Sequence, residues 1–406
     1  IFTRFPSPYH LHTPPHARRQ ACSQRATQEK SMGIRDIGVR VGHGTPGPFN
    51  GITDVQGVRV GHRTLVENRA EASIRTGVTI IEPRPGIARF EPCFAGCHVL
   101  NGNGDATGLE WIRESGLLTT PIAYTNTHSV GVVRDALVAA ERASVGDSQY
   151  WCMPVVLETF DGVLNDIWGQ HVTAAHVHEA QSKARSGPVA EGSVGGGTGM
   201  ICHEFKGGIG TASRKLAQED GGWTVGALVQ ANYGRRDALR VAGYPVGEVL
   251  RDLPSPFDKR QAGVPGMGSI VVTLATDAPL LPHQCTQLAR RASIGLARVG
   301  GGTEYSSGDI FIAFSVGNHG IPPADYGNPG EPVINLRSVS HDFISALFVA
   351  AAEAVEEAIL NALVAAEDVH GRDVHVPALG VDRLLKALQQ VGWRRDADHA
   401  IRPFAD

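Results

Sequence analysis

The pair Gly268-Ser269 lies where a glycine-containing segment meets the apolar run 270–275. A serine hydroxyl can attack the carbonyl carbon of the residue before it, and the cut leaves that serine as a new chain start and a nucleophile. Glycine has no Cβ, so the backbone at Gly268 can hold a strained conformation and let the hydroxyl approach. The same pair is also an ordinary loop end. The prediction of self-cleavage at this bond therefore depends on what else the chain contains.

A second polar group precedes the apolar run 310–314, where Ser307 and Asp309 stand two residues apart. Residues two apart in a strand point to the same face, so these two side chains can project together. A hydroxyl beside a carboxylate can pass on a proton or orient a nucleophile. The alternative interpretation is a solvated strand end with a turn-forming Ser-Gly pair.

Two further strand ends have polar side chains suited to holding a substrate. Glu158 follows the apolar run 154–157, where a carboxylate is either solvated or placed to bind a cation. Asn232 follows the strand pattern 225–231 and offers an amide donor. Such a donor can stabilise a developing oxyanion by about 3 kcal/mol. Taken singly, residues of these types at strand ends are more often structural.

Other motifs argue against a nucleotide, a metal or a cofactor. The glycine-rich segments 192–199 and 206–210 lack the Gly-Lys-Ser/Thr ending of a phosphate-binding loop, so close backbone packing is the better interpretation. His171, His176 and His178 do not have the His-Glu-x-x-His spacing of a zinc site. We therefore predict chemistry that uses side chains alone, with no metal and no cofactor.

Composition excludes several classes of function. The net charge is −4 and no basic stripe is present, so nucleic acid is not an expected partner. The chain has no run of about 18 apolar residues, so no membrane span is expected. The six cysteines match no zinc module and are too few for a disulfide framework in 406 residues. We expect free thiols in a reducing compartment and a cytoplasmic protein.

The two ends of the chain differ from its middle. Residues 1–32 are basic, rich in proline and poor in acids, which predicts a disordered or non-native extension. A mitochondrial presequence has a similar charge, but the clustered prolines disfavour its amphipathic helix. No proline- and serine-rich linker divides residues 33–390, so we predict a single catalytic domain there, followed by a tail over 391–406.

Helices and strands alternate along the predicted domain. Apolar residues recur at helical spacing over 129–143, 284–299 and 341–367, and the third helix has Glu353, Glu357 and Asn361 on its opposite face. The repeated segments 39–43 and 58–62 resemble two strand ends. Continuous apolar runs indicate strands that are buried on both faces, which is typical of a layered α/β protein. These runs are 78–82, 154–160, 225–231, 270–276 and 309–316.

Taken together, these segments resemble the L-aminopeptidase/D-esterase–amidase family, which includes the β-peptidyl aminopeptidases. The resemblance covers most of residues 33–375. Its motifs, in order, are 52–62, 101–104, 158–162, 195–199, 206–213, 230–234, Gly268-Ser269 and 307–309.

The resemblance implies a four-layer α/β/β/α sandwich, shared with ornithine acetyltransferases and analogous to N-terminal-nucleophile hydrolases. It implies self-cleavage between Gly268 and Ser269, which gives an α chain ending at 268 and a β chain starting at 269. Such αβ units commonly assemble as homo-oligomers of four.

The resemblance also implies a role for each candidate residue. Ser269 matches the nucleophile, with Ser307 and Asp309 as its hydroxyl–acid partners. Asn232 matches the oxyanion-stabilising asparagine, and Glu158 resembles the carboxylate that binds the free ammonium group of the substrate.

One departure concerns Phe160, which stands where a tyrosine hydroxyl is expected in some members. Either Phe160 lines the substrate pocket or part of the oxyanion stabilisation is missing.

The implied reaction is hydrolysis of small peptides, amino-acid amides or esters with a free amino group, through an acyl-enzyme on Ser269. The α-amine freed at Ser269 has an ordinary pKa of about 7.7–8.0, so either this amine or Ser307 can act as the general base. The alternative function is an acyltransferase of the ornithine acetyltransferase type on the same fold. A threonine nucleophile is expected in that family, so Ser269 favours hydrolysis.

Overall fold

The computed structural model describes residues 31–145, 151–257, 266–323 and 331–395. The extension predicted at 1–32 lies outside these ranges except for its last two residues, and the tail from residue 396 onward lies outside them too. Within the described ranges, none of the helices combines the length and apolar character that crossing a membrane requires.

The described residues form fourteen strands and eight α-helices. The strands are β1 (Arg59–Asn68), β2 (Ser73–Glu82), β3 (Cys93–Gly102), β4 (Leu117–Leu118), β5 (Ile122–Asn126), β6 (Val155–Thr159), β7 (Ile201–Cys202), β8 (Phe205–Lys206), β9 (Gly208–Lys215), β10 (Thr224–Gly234), β11 (Gly266–Thr276), β12 (Ser307–Ser315), β13 (Val369–His370) and β14 (His375–Val376). The helices are α1 (Leu109–Ser115), α2 (Val130–Val145), α3 (Ala174–Ser182), α4 (Val246–Leu250), α5 (Pro282–Arg290), α6 (Ala292–Val299), α7 (Ile344–Val364) and α8 (Val381–Gln390).

Two sheets form the centre of the molecule. One has four strands in the order β1-β2-β5-β6, and the other has six in the order β4-β3-β12-β11-β10-β9. Most neighbours run antiparallel, but β5 pairs with β6 and β11 pairs with β12 in parallel. The two short ladders, β7 with β8 and β13 with β14, lie outside these sheets.

The sheets pack face to face, and helices cover the outer face of each. Tyr124 of the four-stranded sheet shares one buried cluster with Leu228 and Val271 of the six-stranded sheet. A second cluster joins the four-stranded sheet to α2 and α3, and a third joins the six-stranded sheet to α5, α6 and α7. The layer order is therefore helix, sheet, sheet, helix, and the predicted fold class is confirmed.

The continuous apolar run in β11 follows from this layering. Val271 faces the other sheet, whereas Ile270 and Val272 face the helices. Alternate residues of a strand point to opposite faces, so a strand with a covered layer on each side needs apolar residues at every position.

The polar face predicted for the third helix is buried in α7. Arg214 of β9 donates from Nε to Glu353 at 2.9 Å and from Nη2 to Glu357 at 2.7 Å. Asn361 donates from Nδ2 to the carbonyl oxygen of Thr211 at 2.8 Å. These contacts fix α7 across β9, so the acidic side chains pair with a buried cation instead of facing solvent.

Two local predictions differ from the structure. The helix expected over 284–299 is divided at Arg291 into α5 and α6, which together run from Pro282 to Val299. The segment 39–43 forms no strand. There Gly42 has a left-handed φ of +64° and the backbone N–H of His43 donates to Glu353 at 2.9 Å, so the chain turns instead of extending.

Candidate active site

A cavity of about 360 Å³ opens between the two sheets. The four-stranded sheet contributes residues at and just after the ends of β5 and β6, and the six-stranded sheet contributes residues from β10 and from the start of β11. Loops after β3 and before β12 complete the wall. The lining residues are Asn103, Gly104, Asp105, Thr127, Glu158, Phe160, Val163, Ile201, Asn232, Phe257, Gly268, Ser269 and Ser306.

Ser269 is buried, and its hydroxyl is fixed from two sides. Its Oγ donates to the carbonyl oxygen of Gly268 at 2.7 Å and accepts from the backbone N–H of Gly308 at 3.2 Å. The strand register places Ser269 beside Asn232 of β10 and beside Gly308 of β12. The hydroxyl thus lies against the peptide unit that joins residues 268 and 269.

Asn232 is held by both ends of its amide. Its Oδ1 accepts from the backbone N–H of Ile201 at 2.8 Å, and its Nδ2 donates to the carbonyl oxygen of Phe160 at 3.0 Å. An amide nitrogen has two N–H groups, so the Asn232 side chain, which lines the cavity, has one further N–H group to donate. The predicted oxyanion donor therefore lies across from the predicted nucleophile.

Ser307 and Asp309 lie together at the start of β12, as the two-residue spacing predicts. Ser307 donates from Oγ to Asp309 Oδ1 at 2.6 Å. In the parallel register with β11, Ser307 lies beside Gly268, so the pair borders the same peptide unit. Burial raises the pKa of Asp309 to about 6, against the opposing effect of the Ser307 hydrogen bond.

Glu158 is 3% exposed, and both of its oxygens receive hydrogen bonds. The backbone N–H of Asp105 donates to Oε1 at 2.8 Å, and the hydroxyl of Thr127 donates to Oε2. Burial raises the pKa of Glu158, while these two hydrogen bonds oppose the rise. The cavity thus has a carboxylate on the wall formed by the four-stranded sheet.

Phe160 lies at the cavity wall and is 45% exposed. Its backbone carbonyl holds Asn232, as described above, and its ring has no group able to donate to an oxyanion. Apolar side chains of Val163, Ile201 and Phe257 line the cavity with it.

Sequence reasoning missed Asp105 and Thr127. Asp105 directly follows the motif 101–104, which is a signal that the loop after β3 belongs to the site. Thr127 lies one residue beyond β5, and its role depends on the parallel pairing of β5 with β6, for which the sequence has no local signal.

The glycine-rich segments pack tightly, in agreement with the sequence interpretation. A Cβ on Gly197 would lie 2.4 Å from the backbone nitrogen of Ile209. Lys206 is buried and donates from Nζ to the carbonyl oxygens of Gly197 at 3.1 Å and Gly207 at 2.8 Å. Burial lowers the pKa of this lysine to about 7. Over the ranges that the structure describes, no three side chains of His, Cys, Asp or Glu gather as a possible metal site.

Comparison with known proteins agrees with the fold. Residues 50–376 match peptidase family S58. The Beta-peptidyl aminopeptidase BapA of Sphingosinicella microcystinivorans is 47% identical over 350 residues, which cover 83% of this chain and 86% of that protein.

Two solved structures are similar over nearly their whole length. A Burkholderia sp. beta-aminopeptidase has 72% identity and a TM-score of 0.86, with 89% of this chain and 100% of that chain covered. The L-aminopeptidase D-Ala-esterase/amidase of Ochrobactrum anthropi, described as a prototype of the serine aminopeptidases with a variant of the Ntn hydrolase fold, has 44% identity and a TM-score of 0.81, with 89% and 99% covered.

The fold and these comparisons identify this protein as a serine aminopeptidase with a variant of the Ntn hydrolase fold. It belongs to peptidase family S58. The family resemblance and the hydrolase activity predicted from the motifs are confirmed, and the acyltransferase alternative finds no support in these comparisons.

Proposed function

We propose that this aminopeptidase cuts its own chain between Gly268 and Ser269 and then uses Ser269 as its nucleophile. The domain over 33–390 would thus become an α chain that ends at Gly268 and a β chain that starts at Ser269. The observation that supports this most is the position of the Ser269 hydroxyl, 2.7 Å from the carbonyl oxygen of the preceding residue and inside the cavity.

In the self-cleavage step, Ser269 Oγ attacks the carbonyl carbon of Gly268. The C–N bond breaks, the nitrogen takes a proton and becomes the free α-amine of Ser269, and an ester joins the two pieces. Water then hydrolyses the ester, which gives the carboxylate of Gly268 and restores the hydroxyl of Ser269. Ser307 and Asp309, which border this peptide unit, are the proposed hydroxyl–acid partners in the proton transfers.

In the mature enzyme, Ser269 attacks the carbonyl carbon of the substrate and expels an amine or an alcohol. The remaining N–H of the Asn232 amide stabilises the oxyanion, and Glu158 binds the substrate's ammonium group. Water completes the turnover by hydrolysing the acyl-enzyme. The cavity of about 360 Å³ admits one small residue and its leaving group, which favours short substrates.

We propose as substrates small peptides, amino-acid amides and esters with a free amino group. Peptides that begin with a β-amino acid are included because similar proteins are named as β-peptidyl aminopeptidases and as a beta-aminopeptidase. We further propose an assembly of four αβ units and a cytoplasmic location. The described cysteines, which are Cys93, Cys97, Cys152, Cys202 and Cys285, are all free thiols, as a reducing compartment favours.

The test is the variant Ser269→Ala, with Ser182→Ala on α3 as a control. We expect Ser269→Ala to remain one uncut chain without aminopeptidase activity, because it lacks the attacking oxygen. Ser182→Ala should be cut and active. Hydrolysis of an amino-acid p-nitroanilide by purified Ser269→Ala would remove Ser269 from the mechanism.

A further inference from the structure

We propose that Thr127 is a positioning residue that keeps the carboxylate of Glu158 ionised and aimed at the substrate's ammonium group. This inference rests on the proposed role of Glu158, and it gives a function to the hydroxyl of Thr127, the first residue after β5. It predicts that the hydroxyl of Thr127 affects substrates with a free amino group and leaves other substrates unaffected.

The two oxygens of Glu158 are held from different elements. Oε2 accepts from the hydroxyl of Thr127, and Oε1 accepts from the backbone N–H of Asp105 at 2.8 Å. A Cβ on Gly104 would lie 3.1 Å from Oε1, so the loop after β3 packs directly on the carboxylate. With one donor on each oxygen, the carboxylate plane has a single orientation in the cavity.

Burial makes these donors necessary. Glu158 is 3% exposed, and a buried carboxylate that loses a hydrogen bond becomes easier to protonate or turns toward another donor. Two nearby side chains also change the pKa of Glu158: the carboxylate of Asp105 raises it, and His128 lowers it. A protonated Glu158 has no charge with which to bind an ammonium group.

The chain path explains why Thr127 occupies this position. In the parallel pair, Thr125 of β5 lies beside Glu158 of β6. After Asn126 the chain turns into a 3-10 helix, Thr127–Ser129, which brings the hydroxyl of Thr127 over the end of β6. Thr125 is the closer residue in register, yet its hydroxyl donates to the carbonyl oxygen of Gly77 at 3.0 Å.

This neighbour provides a matched control. Thr127→Val and Thr125→Val each replace a hydroxyl by a methyl group, but only the first removes a donor from Glu158. Thr127→Ser retains the hydroxyl, and Thr127→Ala removes it in a second way in case valine does not fold. Glu158→Gln tests the proposed role of the carboxylate itself.

Each purified, full-length variant is assayed with alanyl p-nitroanilide and with propionyl p-nitroanilide, which lacks only the amino group. Thermal melting and denaturing electrophoresis report folding and processing. For alanyl p-nitroanilide, we expect Thr127→Val and Thr127→Ala to raise KM about tenfold, with kcat within about twofold of the parent enzyme. Their kcat/KM for propionyl p-nitroanilide should stay unchanged, and Thr127→Ser and Thr125→Val should match the parent on both substrates.

Three results overturn the inference. If Glu158→Gln raises KM for the alanyl substrate but neither Thr127 variant does, the role of Thr127 is wrong while that of Glu158 stands. If the Thr127 variants weaken both substrates equally, as a structural defect would, the inference is also wrong. If Glu158→Gln leaves the preference for the alanyl substrate intact, the proposed role of Glu158 fails and the inference fails with it.

Discussion

A Cβ atom on residue 268 would lie 1.9 Å from the carbonyl oxygen of Asn232, so glycine alone fits beside β10 at this point. The next residue, Ser269, is the register partner of Asn232. The close approach of the two strands therefore sets the distance between the proposed nucleophile and the proposed oxyanion donor.

Gly268→Ala should slow self-cleavage about a hundredfold, because the methyl group must push β11 away from β10 and displace the Ser269 hydroxyl. Electrophoresis of the chain at timed intervals after refolding measures the rate. Gly131 on α2 is the control, since a Cβ there meets nothing within 4 Å. Processing of Gly268→Ala at the same rate as Gly131→Ala would show that this close approach is not required.

The activity should depend on the ionisation of Asp309. Its pKa is raised to about 6 by burial, and its ionised form accepts the hydrogen bond from Ser307. A carboxyl group is ionised above its pKa, so kcat at saturating substrate should fall as the pH drops through about 6. Asp309→Asn should show a low kcat at every pH, close to the acid limit of the parent enzyme. A parent kcat that stays constant through this pH range would contradict the role of Asp309.

The buried pairing of Arg214 with Glu353 and Glu357 should be important for stability. Replacing Arg214 by Met leaves the buried carboxylate of Glu353 without its cation and leaves Glu357 paired with Arg35 alone. We expect a loss of about 3–5 kcal/mol in the free energy of unfolding. Urea denaturation measures this loss. The Arg69–Glu67 pair is the control because its side chains are 55% and 51% exposed, and Arg69→Gln should cost less than about 1 kcal/mol. Equal losses in the two variants would show that burial does not increase the contribution of the Arg214 ion pairs to the free energy of unfolding.

The sequence predicts much of this arrangement because its signals are local. The two-residue spacing of Ser307 and Asp309 places both side chains on one strand face, and the apolar runs around Glu158 and Asn232 place each residue at a strand end. The family motifs then join these strand ends into one site. None of these inferences requires knowledge of which strands are neighbours.

What the sequence does not predict depends on contacts between distant segments. The acidic side chains on one face of α7 have the sequence pattern of a solvated helix face. In the structure this face is buried, and its carboxylates pair with Arg214 of β9. Likewise, Thr127 has no motif, since its hydrogen bond to Glu158 exists because β5 and β6 pair in parallel. The segment 39–43 repeats the letters of 58–62 but turns toward Glu353 of α7 instead of joining a sheet.

Intact-mass spectrometry of the active, purified enzyme tests the central claim most directly. We predict two polypeptides whose masses are those of a chain cut between Gly268 and Ser269, one that ends at Gly268 and one that begins at Ser269. A single polypeptide that still has the peptide bond between Gly268 and Ser269 and yet hydrolyses an amino-acid p-nitroanilide at the full rate would contradict the account.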